Sequence, residues 1–354
     1  MNVRAQGRTG FISTRSLRDL LDERVEASLR GLFDGRGGAA HGRLLDERGV
    51  SPRVAGMDDD VSAYADTLGT PDRVRETLAG TGYLAGDALA TTVFLAAGMQ
   101  RPLLLEGEPG TGKTALAEAL ADSVGLPLVR LQCYEGIDAA QALFDWDFPR
   151  QILHLRALEA AGAVDADAAE DSLYADRFLL ERPILAALRR PSVLLIDEID
   201  RADDEFEAFL LEVLSEWRVT IPEVGTIGTA TPPLTVLTSN RTRELHDALK
   251  RRCLYHWVDH PDFQAELEIL RTRLPGVPPL LAEQVVTVVQ RLRATEGLVK
   301  PPGVAESLDW ARALHRLGAT ELDLPRAAAS LGAIVKYRED SQRVRQALDR
   351  LLTP

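Results

Sequence analysis

Short runs of consecutive apolar residues recur through the first 260 positions, separated by longer segments with helical spacing. Consecutive apolar residues are typical of strands that are buried on both faces of a parallel sheet. They predict strands at 102–105, 127–132, 192–197, 234–238 and 254–258. Apolar residues three and four positions apart predict helices at 72–79, 86–99, 115–124, 151–161, 203–217 and 244–250. This alternation predicts an α/β core built on a parallel sheet.

After Pro261 the pattern is helical throughout. Proline and glycine clusters stop one helix and start the next. The predicted helices are 263–274, 280–295, 304–317, 326–335 and 341–352. We therefore expect an α/β core at 71–260, followed by a small all-α domain at 261–354.

Two parts of the core depart from simple strand–helix alternation. Strands 127–132 and 192–197 are too far apart in sequence for a single crossover helix, so we predict an insertion at about 136–190. Residues 218–221 and 226–227 flank a turn, which predicts a hairpin within about 218–233.

Residues 1–70 are richer in glycine and in clustered charges than the rest of the chain. One helix is predicted at 16–32, where a glycine cluster ends it. We expect a largely flexible arm. The acidic triplet at 58–60 is interpreted as a solvated loop in preference to a metal site.

The net charge is −13, from 41 basic and 54 acidic residues. An acidic balance lacks the basic footprint of a duplex-binding protein, so we favour protein partners and expect no nucleic acid. No apolar run approaches the roughly 20 residues that span a bilayer, and the N-terminus has no signal-peptide core. Cys133 and Cys253 form no disulfide framework. We expect a cytoplasmic protein that does not associate with membranes.

The eight residues 107–114, GEPGTGKT, lie between a predicted strand and a predicted helix. This is the context of a phosphate-binding P-loop, in which glycines let backbone N–H groups point at the phosphates. The helix N-terminus adds its dipole to the same anion. Lys113 is expected to reach the β- and γ-phosphates, and Thr114 to ligate Mg²⁺. The predicted phosphate-binding residues are Gly107, Glu108, Pro109, Gly110, Thr111, Gly112, Lys113 and Thr114.

Polar residues follow two other strands, at the edge of a parallel sheet where ligands bind. Asp197 ends an apolar run and is predicted to organise Mg²⁺ together with Thr114. Glu198 is predicted to be the base that orients the attacking water. The Asn240 amide can hydrogen-bond the γ-phosphate and that water. No Asn-Lys-x-Asp motif follows, which disfavours GTP.

Two further groups near residue 250 have alternative interpretations. Arg251 and Arg252 suit a transition-state phosphoryl group in a neighbouring subunit, or they simply stabilise a helix C-terminus. Cys253, His256 and His260 have the spacing of metal ligands. Cys253 and His256 alternate to opposite faces of a strand, which argues against joint ligation.

Together these motifs resemble those of the AAA+ ATPases, specifically the MoxR family and most closely its CoxD-like branch. The resemblance covers residues 72–340. Its motifs are 107–114 (Walker A), 194–200 (Walker B), 238–240 (sensor 1), 249–253 (arginine finger), and two stretches similar to that branch, 132–136 and 306–314.

The resemblance implies a three-layer AAA+ core that binds ATP and Mg²⁺, followed by an all-α lid, in a ring that we expect to be hexameric. It implies an ATP-hydrolysing, chaperone-like remodeller that matures or activates a metalloenzyme of the carbon monoxide dehydrogenase type, with a von Willebrand A domain partner. By this resemblance, the insertion at about 136–190 corresponds to the helix-2 insert. The hairpin within about 218–233 corresponds to the hairpin before sensor 1. Relatives often carry a second-sensor arginine where this chain has Gly303 and Val304; Lys300 and Arg312 are its candidate replacements.

Two other functions remain open from the sequence. The same core is compatible with a nucleic-acid-dependent or restriction-type NTPase motor, although the acidic balance counts against it. It is also compatible with a nucleotide-gated binding ring in which assembly, and not hydrolysis, carries the function.

Overall fold

The computed structural model describes residues 67–160, 172–221 and 223–352. The predicted helix at 16–32 and the acidic triplet at 58–60 lie outside these residues. No helix in the described ranges is long and apolar enough to cross a bilayer.

The described strands form one large sheet and two small ones. The strands are β1 (Leu103–Glu106), β2 (Leu128–Gln132), β3 (Phe144–Trp146), β4 (Leu179–Glu181), β5 (Val193–Asp197), β6 (Arg218–Ile221), β7 (Gly225–Gly228), β8 (Leu234–Ser239) and β9 (Leu254–Trp257). The large sheet has five strands in the order β2-β5-β8-β1-β9. Every adjacent pair in it is parallel, which confirms the predicted α/β class.

The helices of the core are α1 (Pro71–Gly80), α2 (Asp87–Met99), α3 (Lys113–Val124), α4 (Ala139–Leu143), α5 (Phe148–Ala160), α6 (Pro183–Arg189), α7 (Asp204–Glu216) and α8 (Asp247–Arg252). Of these, α1, α2, α3, α5 and α7 lie at or close to their predicted positions. Apolar residues of α1, α2 and α3 share one buried cluster with alternate residues of β1, β5 and β8. Helix α6 packs against β2 and β5.

Burial differs between the central and the edge strands of the sheet. Every residue of β1, β5 and β8 is buried. Strands β2 and β9 are the sheet edges; Leu131 is the one buried residue of β2, and no residue of β9 is buried. The prediction of strands buried on both faces is therefore right for the centre of the sheet, because only central strands are covered by neighbours on every side.

The insertion contains two paired strands in addition to the helix predicted at 151–161. Its strands β3 and β4 pair antiparallel, with Phe144 opposite Glu181. Two short antiparallel strands of three residues give too brief an alternation to be recognised from the sequence. The second small sheet consists of β6 and β7, which lie within the segment where a hairpin is predicted.

The helix predicted at 244–250 was misplaced, since α8 begins at Asp247 and ends at Arg252. The preceding turn is held by α7: the buried Glu207 carboxylate accepts from the His246 amide at 2.9 Å and pairs with Arg243. These tertiary contacts prevent an earlier start of α8. As a consequence, Arg251 lies in the last helical turn and not beyond it.

The C-terminal region is helical, as predicted. It contains α9 (Phe263–Arg273), α10 (Pro279–Arg293), α11 (Val304–Arg316), α12 (Leu324–Ile334) and α13 (Arg338–Leu352). These helices share a second apolar cluster, separate from that of the sheet. Trp310 is fully buried there, and its indole N–H donates to Ser330 Oγ at 2.8 Å. We call this region the lid.

Candidate functional site

The loop between β1 and α3 requires glycine at two positions for different reasons. At Gly107 a Cβ atom would lie 2.3 Å from the carbonyl oxygen of Val258, so no side chain fits. Gly112 immediately precedes α3 and has a φ of 95°, a left-handed conformation that favours glycine. The loop therefore reaches the N-terminus of α3 with its backbone exposed to the cavity described below.

Lys113 begins α3 and is 6% exposed. Its ammonium donates to the carbonyl oxygens of Gly107 and Glu108, each at 2.8 Å. Burial lowers its pKa, whereas nearby carboxylates, first among them Asp200, oppose that shift. Lys113 is thus held inside its own loop by bonds that phosphate oxygens can replace.

Asp197 ends β5 and lies beside the loop, with a side chain that is 4% exposed. Its Oδ1 accepts from Thr114 Oγ1 at 3.1 Å and from Thr238 Oγ1 at 2.5 Å. Its Oδ2 accepts from Arg130 Nη2 at 2.5 Å. The structure therefore brings the two predicted metal ligands, Thr114 and Asp197, into direct contact.

Glu198 follows with a φ of 56°, a left-handed conformation that is uncommon outside glycine. Its amide donates to Thr238 Oγ1 at 2.9 Å, so one threonine fixes both carboxylate residues. Glu198 Oε2 accepts from Gln132 Nε2 at 3.1 Å and from Arg201 Nη1 at 3.0 Å. The carboxylate that is the predicted base is held by these two side chains.

The donor set at Thr114 and Asp197 fits Mg²⁺. Both donors are oxygens, as a hard cation prefers, and Mg²⁺ usually takes one or two protein ligands together with substrate phosphates and water. No cluster of three or more His, Cys, Asp or Glu residues suited to a metal occurs in the described ranges. The site therefore suits a metal that arrives with a nucleotide better than a permanent all-protein site.

A cavity of about 740 Å³ opens beside these residues, between the sheet edge and the lid. Its lining includes residues 109–114, Asp197, Glu198, Thr238 and Asn240. The same lining also includes the apolar side chains of Leu84, Val258, Ile269 and Leu308 and the ring of Tyr83. A cavity that combines a P-loop with apolar side chains suits a nucleotide, which has charged phosphates and an apolar base.

Two histidines also line the cavity. Burial lowers the pKa of His256, and burial together with the Arg293 charge lowers the pKa of His260. Both imidazoles are therefore neutral at pH 7. The predicted alternation is also observed, because His256 and Val258 face the cavity.

The lid touches the P-loop directly. The Val304 amide donates to the Gly110 carbonyl oxygen at 3.0 Å, and Glu306 accepts from the Gly303 amide at 2.9 Å. Neither candidate for the second sensor lines the cavity: Lys300 donates through its backbone to Asp340, and Arg312 pairs with Asp309. The lid arginine that lines the cavity is Arg273, at the end of α9, which the sequence did not single out.

Arg251 and Arg252 do not line the cavity. Arg252 Nε donates to Ser215 Oγ at 2.5 Å, whereas the Arg251 side chain makes no ion pair within the described residues. Arg101 donates to the carbonyl oxygens of both, which anchors the end of α8 beside the start of β1. Both arginines therefore lie outside the cavity of their own chain.

The sequence assigned no role to three residues that hold the site together, namely Arg130, Gln132 and Thr238, although the last two begin the motifs 132–136 and 238–240. Each lies in a predicted strand, and strand alternation alone indicates only which residues share a face. The register decides the rest: Gln132 lies opposite Asp197, so polar side chains of β2 reach the carboxylates of β5.

Comparisons with known proteins point to the same part of the chain. Residues 102–253 match the family model described as AAA domain (dynein-related subfamily). An uncharacterized protein of Staphylococcus saprophyticus is 24% identical over 77% of this chain and 97% of its own length. One from Staphylococcus epidermidis is 26% identical over 71% and 89%.

Among solved structures, a variant of RuvB from Thermotoga maritima is 16% identical and covers 79% of this chain and 78% of its own, with a TM-score of 0.41. The α/β fold is shown by the five-stranded parallel sheet and the helices packed against it.

Proposed function

We propose that the protein is an AAA+ ATPase that converts ATP and water to ADP and phosphate with Mg²⁺. The match of residues 102–253 to the model of an AAA domain supports this proposal. The observation that carries the proposal is the contact network at the ends of β5 and β8. Thr238 bonds both Asp197 and Glu198, while Thr114 bonds Asp197. One threonine thereby sets the spacing between a metal-organising carboxylate and a candidate base.

In this proposal Lys113 exchanges its two carbonyl partners for β- and γ-phosphate oxygens, and the loop amides of 107–114 hold the remaining phosphate charge. Bound Mg²⁺, held by Thr114 and through Asp197, would neutralise charge on the phosphates. Glu198 leaves Gln132 and Arg201 and accepts a proton from the attacking water. Asn240, at the end of β8, donates to the γ-phosphate and orients that water.

We further propose that the protein acts as a ring, hexameric by family resemblance, in which Arg251 or Arg252 reaches the nucleotide of the neighbouring subunit. Support comes from the position of both arginines on the exposed end of α8, outside the cavity of their own chain. A guanidinium supplied in trans makes hydrolysis depend on assembly.

For the biological role we propose a remodeller of the MoxR type that assists a metalloenzyme, through a von Willebrand A domain partner. The set of motifs in 107–114, 194–200 and 238–240, and the insertion between β2 and β5, support this role. Two measurements test this role: a pull-down with the candidate metalloenzyme, and the ATP-dependent gain of that enzyme's activity. Salt-dependent DNA binding with DNA-stimulated turnover would favour the nucleic-acid motor instead.

The hydrolysis itself is tested with Glu198→Gln. The variant should bind ATP as the wild type does and should lose at least about 100-fold in kcat, because the amide cannot take the proton. Glu212→Gln, an exposed position on α7, is the matched control and should retain turnover. Unchanged kcat in Glu198→Gln would remove Glu198 from the mechanism, and wild-type turnover that is independent of Mg²⁺ would contradict the metal proposal. Mass measurement with and without ATP tests the ring.

A further inference from the structure

Arg130 is a partly exposed residue that forms an ion pair with a buried carboxylate of the site. It lies on the edge strand β2, its side chain is 49% exposed, and its Nη2 donates to Asp197 Oδ2 at 2.5 Å. The same nitrogen donates to Gln132 Oε1 at 2.8 Å. Gln132 in turn contacts Glu198. One guanidinium on the open edge of the sheet therefore touches the buried carboxylate next to the P-loop.

The charges around Asp197 explain why such a cation matters. Lys113 interacts electrostatically with the negative charges of four carboxylates, those of Asp200, Glu108, Asp197 and Glu198. Its ammonium is occupied by loop carbonyls. In the described part of the chain, Arg130 is the cation that forms an ion pair with Asp197.

We propose that Arg130 is a positioning residue that serves as the counter-cation of Asp197 when no metal is bound. The inference rests on the proposed nucleotide site. A triphosphate that enters without metal meets a cluster of carboxylates, and Arg130 screens the nearest of them. When Mg²⁺ binds at Asp197, the positive charge of Arg130 opposes its binding. Arg130 therefore favours metal-free nucleotide and raises the Mg²⁺ concentration that the site requires.

Two other roles of Arg130 predict different changes in nucleotide affinity when the residue is replaced. If Arg130 only oriented Asp197 for the metal, its loss would weaken binding in Mg²⁺ more than in EDTA. If it only stabilised the edge strand, its loss would weaken both equally. A counter-cation alone predicts a loss that is confined to metal-free conditions, because the added Mg²⁺ takes over the neutralisation of Asp197.

The experiment is a fluorescence titration of the full chain with a labelled, slowly hydrolysed ATP analogue, in EDTA and across a series of Mg²⁺ concentrations. Arg130→Met should bind the analogue roughly fivefold or more weakly in EDTA, because the carboxylate is then unscreened. In saturating Mg²⁺ its affinity for the analogue should stay within about twofold of wild type. Its Mg²⁺ midpoint, the Mg²⁺ concentration at half-maximal effect on binding, should fall by about the same factor as the affinity does in EDTA. Arg130→Lys, which keeps the charge, should restore most of the binding in EDTA.

Arg182→Met is the matched control, since Arg182 is 46% exposed and pairs with Asp145 in the insertion. It should leave both titrations unchanged. Equal losses of affinity in EDTA and in Mg²⁺, or an unchanged or raised Mg²⁺ midpoint in Arg130→Met, would overturn the proposal. Turnover is measured separately. A wild type that binds the analogue and Mg²⁺ but does not hydrolyse ATP refutes the ATPase proposal and leaves the role of Arg130 decided by the titrations.

Discussion

The amide nitrogen of Val304 lies 3.0 Å from the carbonyl oxygen of Gly110, so the first turn of α11 is hydrogen-bonded to the P-loop. Next to this bond, Gly303 and Gly110 are in contact through their backbones: a Cβ on Gly303 would lie 3.0 Å from the Gly110 Cα. The lid thus contacts the nucleotide loop through main-chain atoms. We therefore expect a displacement of the loop by a ligand to move α11.

Gly303→Ala should therefore weaken ATP binding, by about three- to tenfold, because the added methyl separates α11 from the loop. Fluorescence titration with a labelled ATP analogue measures the change. Gly332→Ala, in α12 with no atom within 4 Å of the added methyl, is the control and should bind normally. Its thermal midpoint should rise slightly, since alanine favours a helix over glycine. Equal affinities for the two variants would show that the contact is not coupled to binding.

The two arginines of α8 should differ in their effect on turnover. Arg252 donates to Ser215 Oγ and to the Ala248 carbonyl oxygen, whereas Arg251 is exposed and forms no ion pair within the described residues. We expect Arg251→Ala to lower kcat by about 100-fold or more without loss of ATP binding, as for an arginine supplied in trans. Arg252→Ala, its matched control, should lower kcat less.

The measurement is kcat as a function of protein concentration, with mixtures of wild type and variant. In a mixed ring, an Arg251→Ala subunit that lies next to a Glu198→Gln subunit tests whether the arginine acts in trans. If Arg252→Ala causes the larger loss, the assignment of the two arginines is reversed.

A buried ion pair stabilises the lid beneath its contact with the loop. The Glu266 carboxylate is fully buried and accepts from Arg293 at 2.6 and 2.7 Å, from Ser307 at 2.6 Å and from Gln290 at 2.7 Å. Glu266→Gln leaves the Arg293 charge without its partner, which should cost about 3 kcal/mol in the free energy of unfolding. Urea denaturation measures it, with the exposed Glu268→Gln as control on the same helix. A difference below about 1 kcal/mol between the two variants would contradict this estimate.

Both cysteines should be unreactive in the folded protein. Burial raises the pKa of Cys133 to about 12 and that of Cys253 to about 12. The thiolate is the reactive form, so iodoacetamide at pH 8 should modify native protein at least about 100-fold more slowly than urea-unfolded protein. Rapid labelling of either thiol in native protein would contradict their burial.

The same pKa values set a pH dependence of stability. Unfolded thiols ionise near pH 8.5, whereas the folded ones stay protonated to about 12. Between these values the unfolded state binds fewer protons, so the free energy of unfolding falls as pH rises. Urea denaturation at pH 8 and pH 10 should show the fall, and Cys133→Ala should make it smaller.

Much of the architecture followed from local patterns. Consecutive apolar residues located the five strands of the sheet, and proline and glycine located the ends of the lid helices. Helix α8 was misplaced because Glu207, 39 positions before His246, captures its amide. Strands β3 and β4 were missed because three residues give no measurable period. Errors of both kinds arise where a contact distant in sequence overrides a local preference.

The sequence by itself determined which chemical groups the site contains: the glycine loop 107–114, the carboxylates at 197 and 198, and the amide at 240. Their types and their positions at strand ends are local properties. Only the tertiary structure decided how they are connected. Strand order places β2 beside β5, which brings Arg130 to Asp197 and Gln132 to Glu198. Because such pairs depend on register between distant strands, no local pattern specifies them.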